Sequence, residues 1–244
     1  MSQSTLYAAE IGVAIAILIS AYLIGSIPWA YIIVRRVTGE DITAHGTGNV
    51  GAMNVRRTTG SWGWFIVAMA ADAAKGFVPV LGAKALAGGI GLAWLATPWG
   101  LAAGKVAAFD ALGPLWLFPP LAVAGAVLGH NYSVWLAINA KKFSRTGKGL
   151  ATGGGALLAY DWRYFLAVVI VGVLVIALTR YMMAGQVAAA FTLPVAALLL
   201  RSPDWPFALV MGLFVYAAHH KRFMGLLRGE EPKLYLQDGG GPKG

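Results

Sequence analysis

The chain has no cysteine, which excludes disulfides, thiolate metal sites and cysteine nucleophiles. Histidine is limited to His45, His130, His219 and His220, so a histidine-rich metal centre is not expected. Charge is scarce as well. Only 12% of residues are charged, about half of the roughly 25% carried by soluble domains. Apolar residues take its place, at 58% of the chain with a mean hydropathy of +0.68. Long uncharged runs of this composition belong to a membrane protein. Acidic residues number 10 against 19 basic ones, for a net charge of +9. The basic residues lie between apolar runs, so they mark membrane orientation, and no nucleic-acid partner is expected. The N-terminus carries Glu10 and has no basic residue before the first apolar run. A signal peptide has a positive n-region, so the first apolar segment is read as a retained helix.

Apolar runs over residues 8–34, 62–86, 115–138, 164–178, 184–200 and 205–218 read as spanning helices. Residues 150–160 are too few for a lipid-exposed span and read as a short helix packed among others, with glycines allowing close approach. Residues 88–104, which include Pro98, read as re-entrant or interfacial. The expected fold is an all-α integral membrane protein of about seven transmembrane helices. It is read as one multi-spanning domain over residues 1–230 and a flexible tail over 231–244. With the N-terminus outside, fourteen of the 19 Lys and Arg residues fall inside. Lys84, Lys105, Arg163 and Arg201 fall outside, and Lys75 lies within a span. That asymmetry is the positive-inside pattern. The polar loop 38–61, the basic loop 139–149, Arg180 and the tail then share the cytoplasmic face.

Those polar elements hold the candidate chemistry. Gly46-Thr47-Gly48-Asn49-Val50-Gly51-Ala52-Met53-Asn54-Val55-Arg56-Arg57 is rich in small residues, which let backbone N–H groups face inward as an anion nest. Thr47, Asn49 and Asn54 add neutral donors, and Arg57 adds a fork suited to phosphate. The alternative is a flexible membrane loop. Residues 46–51 match GxGxxG, but a membrane helix precedes them, so a dinucleotide fold is not indicated. Asp72 and Lys75 are three apart on one helix face and should pair toward the protein interior. A structural ion pair and lysine snorkelling are both open for them. Gly147-Lys148-Gly149 enters a short helix, as suits anion binding, without the Ser or Thr of a Walker A loop. Gly129-His130 ends a span. Thr179-Arg180-Tyr181 and His219-His220-Lys221-Arg222 complete the set, with topology marking as their ordinary role.

Taken in order, these elements resemble the bacterial acyl-phosphate:glycerol-3-phosphate acyltransferases. The resemblance also draws on Gly25-Ser26-Ile27-Pro28, Asp72-Ala73-Ala74-Lys75-Gly76, the stretch from Gly147 through Leu150-Ala151-Thr152, and Gly229-Glu230-Glu231. It implies transfer of a fatty acyl group from acyl-phosphate to the 1-hydroxyl of glycerol 3-phosphate in phospholipid synthesis, giving lysophosphatidic acid and phosphate. It further implies a monomer in the bacterial inner membrane, with no metal, no cofactor and no acyl-enzyme. Thr47, Arg57, Lys148 and His219 carry over as catalytic. Asn54 carries over as substrate-binding, and Gly46, Gly48, Asn49, Gly51, Gly147, Gly149, Arg180 and Arg222 are expected to bind substrate beside it. Several positions depart from the family pattern. Thr43 stands for Arg, Met53 for Thr, Met183 and Gln186 for serines, Arg222 for Asn and Gly225 for Arg. Loss of hydroxyl donors at Met53 and Met183 implies a remodelled phosphate pocket. The alternatives are a paralogue with another acceptor or weakened activity, and a non-catalytic lipid or solute transporter.

Overall fold

The structure, a computed structural model, describes residues 3–46, 48–87, 117–202, 204–231 and 233. The expected re-entrant segment 88–104 and nearly all of the expected flexible tail lie outside the described residues. The described chain is helical, and it divides into two compact units, residues 1–162 and 163–244.

The first unit contains α1 (Gln3–Gly25), α2 (Trp29–Thr38), a 3-10 turn (Ile42–Ala44), α3 (Ala52–Thr59), α4 (Trp62–Leu86), α5 (Phe118–Asn131), α6 (Val134–Ala140) and α7 (Leu150–Tyr160). The second contains α8 (Trp162–Thr179), α9 (Met182–Leu199) and α10 (Trp205–Leu227). Among the described residues, five segments are long and apolar enough to cross a membrane: Ala8–Thr38, Trp62–Leu86, Phe118–Ala140, Trp162–Thr179 and Met182–Leu199. Leu150–Tyr160 and Trp205–Ala217 are shorter apolar helices. Together they agree with the expectation of about seven spans.

Two of the spans are broken. Pro28 lacks an N–H and its ring cannot continue the preceding turn, so the first span splits into α1 and α2. The second break, at Tyr132 and Ser133, separates α5 from α6. In a bilayer, the carbonyls released at such breaks need protein donors, and here they find them. Lys75 donates to Ile27 O at 2.8 Å, and Ser133 Oγ donates to Ser26 O at 2.6 Å. Trp135 Nε1 donates to Leu23 O at 3.1 Å, and Tyr22 OH donates back to Tyr132 O at 2.9 Å. The two breaks thus satisfy each other.

Small residues set the helix spacing. A Cβ on Gly129 would lie 2.2 Å from Tyr22 O, and one on Gly25 would lie 2.3 Å from Ala126 O. Helices α1 and α5 therefore approach backbone to backbone, as glycine seams allow. The same holds for α4 and α7, where Gly76 abuts Thr152 O and Gly155 abuts Ala73 O, each with only 2.0 Å available to an added Cβ. The short α7 is held among its neighbours as its length required. Lys84 supports its C-terminal end by donating to Ala159 O and Tyr160 O, both at 3.0 Å, where helix carbonyls lack intrahelical donors.

Loop 38–61 is not a flexible connector. Ile42, Val50 and Val55 are buried together with Ile33, Val34, Ala68 and Leu136. These apolar anchors recur within a polar stretch and draw it onto α2, α4 and α6. Arg56 lies over the Trp62 ring, 3.8 Å from its centre, a cation–π contact at the start of α4.

In the second unit, Gly185 packs on the Gly172 carbonyl and Gly212 on the Ala190 carbonyl, so small residues again bring α8, α9 and α10 close. Tyr164 OH donates to Asp204 Oδ1 at 2.7 Å, and the Ser202 hydroxyl donates to the same oxygen. These bonds fix the turn between α9 and α10.

Two glycines of α4 provide a matched test. A methyl at Gly76 meets backbone at 2.0 Å, whereas a methyl at Gly82 meets nothing within 4 Å. Gly76→Ala is expected to destabilise by about 1–3 kcal/mol through overpacking. Gly82→Ala is expected to be neutral or to stabilise by up to about 1 kcal/mol through helix propensity. Thermal unfolding of the two variants in one detergent checks the contrast.

Candidate active site

Within the first unit the glycine-rich loop is shaped by Asn54. This side chain is 2% exposed, and its Nδ2 donates to Ile42 O at 3.1 Å and His45 O at 3.0 Å. Two accepting carbonyls define which end of the amide is nitrogen. The opposite end, Oδ1, is buried without a hydrogen-bond partner among the described residues. It lies against Gly46, where an added Cβ would stand 2.3 Å away. Gly46 has φ 55° and Gly48 has φ 67°, left-handed values that suit glycine. The side chain of Arg57 reaches the same glycine, with its Cδ 3.6 Å from the Gly46 Cβ position. Asp41 orders the entry by accepting from Thr43 N at 2.9 Å and Thr43 Oγ1 at 2.7 Å.

The backbone of this loop is less open to an anion than its composition implied. Gly48 N donates to His45 O, Gly51 N to Asn49 O, and Val50 N to Thr146 O. A compact turn consumes its own amides, so the expected nest is reduced. The amides of Ala52 and Met53 open α3, which starts from Gly51 without a side-chain cap. A helix start with uncapped amides keeps a partial positive charge for an anion. Among the described residues, no carboxylate pairs with Arg57, which is exposed.

The bond from Val50 N to Thr146 O, 2.9 Å long, joins this loop to the lysine loop. Thr146 is a hub. Its N–H donates to Asn131 O at 2.8 Å, and its hydroxyl donates to His130 O at 2.9 Å. The hydroxyl also accepts from Ser133 N at 3.3 Å. Immediately after it, Gly147 and Gly149 are buried while Lys148 is exposed. Arg145 Nε donates to Gly147 O at 3.2 Å. Gly149 has φ 72° and caps the start of α7. Gly46, Gly48, Asn49 and Gly51 thus sit on one loop, with Asn54 and Arg57 on the helix α3 that follows it, and that loop is tied to the one carrying Gly147, Lys148 and Gly149. Thr47 lies outside the described residues.

Arg180, His219 and Arg222 belong to the second unit. Arg180 has φ 62° between α8 and α9, a conformation uncommon for a residue with a Cβ. His219 is buried, with Nδ1 2.8 Å from Val215 O. A carbonyl only accepts, so Nδ1 carries the proton of this bond. Arg222 forks onto Glu231, with Nε donating to Oε1 at 2.8 Å and Nη2 to Oε2 at 2.5 Å. Arg222, expected as a substrate-binding cation, is paired with this carboxylate.

The sequence matches the profile of the glycerol-3-phosphate acyltransferase family over residues 15–229. A glycerol-3-phosphate acyltransferase of Thermus thermophilus is 37% identical over 219 residues, covering 89% of this chain and 93% of the relative. One from Synechococcus sp. JA-3-3Ab is 36% identical, covering 88% and 91%. The chain belongs to the glycerol-3-phosphate acyltransferase family. The crystal structure of the integral membrane acyltransferase PlsY in its glycerol 3-phosphate form aligns with TM-score 0.67 and 26% identity, covering 91% of this chain and 96% of that one. The lysophosphatidic acid form of PlsY aligns with TM-score 0.66.

Within this acyltransferase the departures noted from sequence have separate settings. Met53 is 40% exposed at the start of α3, whereas Met183 is 1% exposed in α9 of the second unit. The two methionines therefore do different things: Met53 borders the uncapped amides of α3, and Met183 is core packing. Gln186 leaves a buried Oε1 without a partner among the described residues. Sequence reasoning missed the role of Thr146 and passed over Asn131, which is 2% exposed and whose side chain lies against Gly149. The available signal was a run of polar residues, His130, Asn131 and Ser133, closing an apolar span.

Asn54→Ala strands two loop carbonyls, at a cost of about 1–3 kcal/mol. Amide exchange over residues 42–50 is expected to rise roughly tenfold or more, in line with that cost, while α1 and α5 keep wild-type protection. Asn54→Asp should do the same, because it lacks the donating nitrogen. Hydrogen exchange read by mass spectrometry checks both, and wild-type exchange in either variant refutes the assignment.

Proposed function

We propose that this acyltransferase moves a fatty acyl group from acyl-phosphate to the 1-hydroxyl of glycerol 3-phosphate. The observation that carries the reading is the Val50–Thr146 hydrogen bond, which ties the loop leading into α3, the helix of Arg57, to the loop of Lys148. Two anionic head groups need two cationic contacts at a short, fixed separation. Arg57 suits a bidentate grip on one phosphate, and Lys148 suits a point contact with the other.

The attacking hydroxyl oxygen forms a bond to the acyl carbonyl carbon, and the carbon–oxygen bond to phosphate breaks. Inorganic phosphate leaves and takes up the hydroxyl proton, and lysophosphatidic acid remains. The protein's contribution is proximity and stabilisation of charge as it moves from the carbonyl to the leaving phosphate. The Thr47 hydroxyl and the His219 side chain serve hydrogen bonding to the substrates, in the roles that the family resemblance implies. Arg180 is carried in the same way as a substrate cation. The excess of Lys and Arg on one side supports a cytoplasmic C-terminus and an external N-terminus in a bacterial inner membrane, and a monomer suffices for this chemistry.

Purified protein supplied with acyl-phosphate and glycerol 3-phosphate is expected to release phosphate and lysophosphatidate in equal amounts. Lys148→Ala and Arg57→Ala should each lower that rate by about 10²–10³, the loss typical of one charge-stabilising contact. Folded wild-type protein that forms no lysophosphatidate, or variants with wild-type turnover, would overturn the reading.

A further inference from the structure

The lysine loop rests on a buried polar group with no part in the chemistry above. His130 is 8% exposed at the end of α5. An added Cβ on Gly147 would lie 2.2 Å from its Nε2 and 2.5 Å from its Cδ2, so the Gly147 backbone lies directly against the imidazole edge. No side chain larger than glycine fits there while the ring stays in place. Gly147 is absent from the residues with positive φ, so contact, and not backbone conformation, accounts for glycine here.

The other face of the ring is also held. Thr152 Oγ1 lies 3.1 Å from His130 Nδ1, and Thr152 is fully buried in the first turn of α7. Asp72 Oδ1 of α4 is 3.8 Å from the same nitrogen and pairs with Lys75 at 2.8 Å, both side chains being 3% exposed. Lys75 in turn holds Ile27 O at the break in the first span. The backbone of His130 meanwhile accepts from the Thr146 hydroxyl. One residue therefore contacts the lysine loop before Lys148, at Thr146 and Gly147, and after it, at Thr152.

We infer that His130, oriented by Thr152 and by the buried Asp72–Lys75 pair, is a positioning residue that fixes where the loop of residues 147–149 presents Lys148. This rests on the reading of Lys148 as a phosphate contact. A displacement of about 1 Å in a positioned group can cost on the order of 10²-fold in rate, so a ring held on both edges suits a short glycine-flanked loop. The ion pair inside the span gains a purpose beyond mutual neutralisation. It closes one wall around the imidazole with groups that cannot shift toward lipid.

The test uses Thr152, because His130→Ala removes a buried ring and risks the fold. Thr152→Val keeps the shape and deletes the hydroxyl, and Thr152→Ser keeps the hydroxyl. Two measurements are made on the full-length protein in detergent. The first is kcat and KM for glycerol 3-phosphate, with thermal unfolding alongside. The second is the rate at which an amine-reactive reagent labels Lys148, with and without glycerol 3-phosphate, quantified by mass spectrometry. Thr152→Val is expected to lower kcat/KM roughly tenfold or more, to change the basal labelling of Lys148 and to weaken its protection, at an unfolding temperature near that of the wild type. Thr152→Ser should restore all three. Wild-type kinetics and labelling in Thr152→Val would overturn the inference. So would losses in both variants that track a fall in unfolding temperature, which is what simple packing predicts. If the wild type itself makes no product, the proposed function fails, and basal Lys148 labelling still decides the positioning role.

Discussion

A helix broken inside a bilayer releases carbonyls that no water can reach, and the first unit is organised around meeting that demand. Pro28 ends α1 and the Tyr132–Ser133 break ends α5. The donors that answer them come from each other and from Lys75. Because the donors are side chains of facing helices, the breaks can exist only when α1, α4 and α5 are packed together. Glycines at residues 25 and 129 allow the close approach of α1 and α5 that brings the facing donors within reach.

The same constraint builds the site. Breaking the spans gives short elements whose ends can carry loops. Polar residues that satisfy the breaks are adjacent in sequence to the residues that shape those loops. Ser133 holds Ser26 O and also donates its N–H to Thr146. Lys75 holds Ile27 O and pairs with Asp72, which faces His130. Arg57 and Lys148 thus stand on a dry framework, while both residues remain exposed. An exposed lysine on a rigid mount suits a phosphate better than a buried one, whose desolvation would oppose its charge.

The membrane class, the number of spans and the short packed helix were legible from apolar run length and glycine content. Asp72 and Lys75 were legible as an interior pair, because charge at membrane depth leaves few alternatives. The anion-nest reading of residues 46–51 was less accurate. Composition reports which residues permit inward amides, but only the folded turn reveals that Gly48, Val50 and Gly51 spend theirs on His45, Thr146 and Asn49. The pairing of Arg222 was hidden for a related reason. A cation near the end of a helix looks available until the chain folds a carboxylate, Glu231, onto it.

The sequence by itself determined a helical membrane protein and the family to which it belongs, since these follow from local composition, motif order and the low polarity of the bilayer. Only the tertiary structure decided that Val50 meets Thr146 and that His130 lies between Gly147 and Thr152. Those contacts join residues separated by up to about a hundred positions, and their geometry depends on how closely glycine-bearing helices approach, a distance that no local pattern encodes.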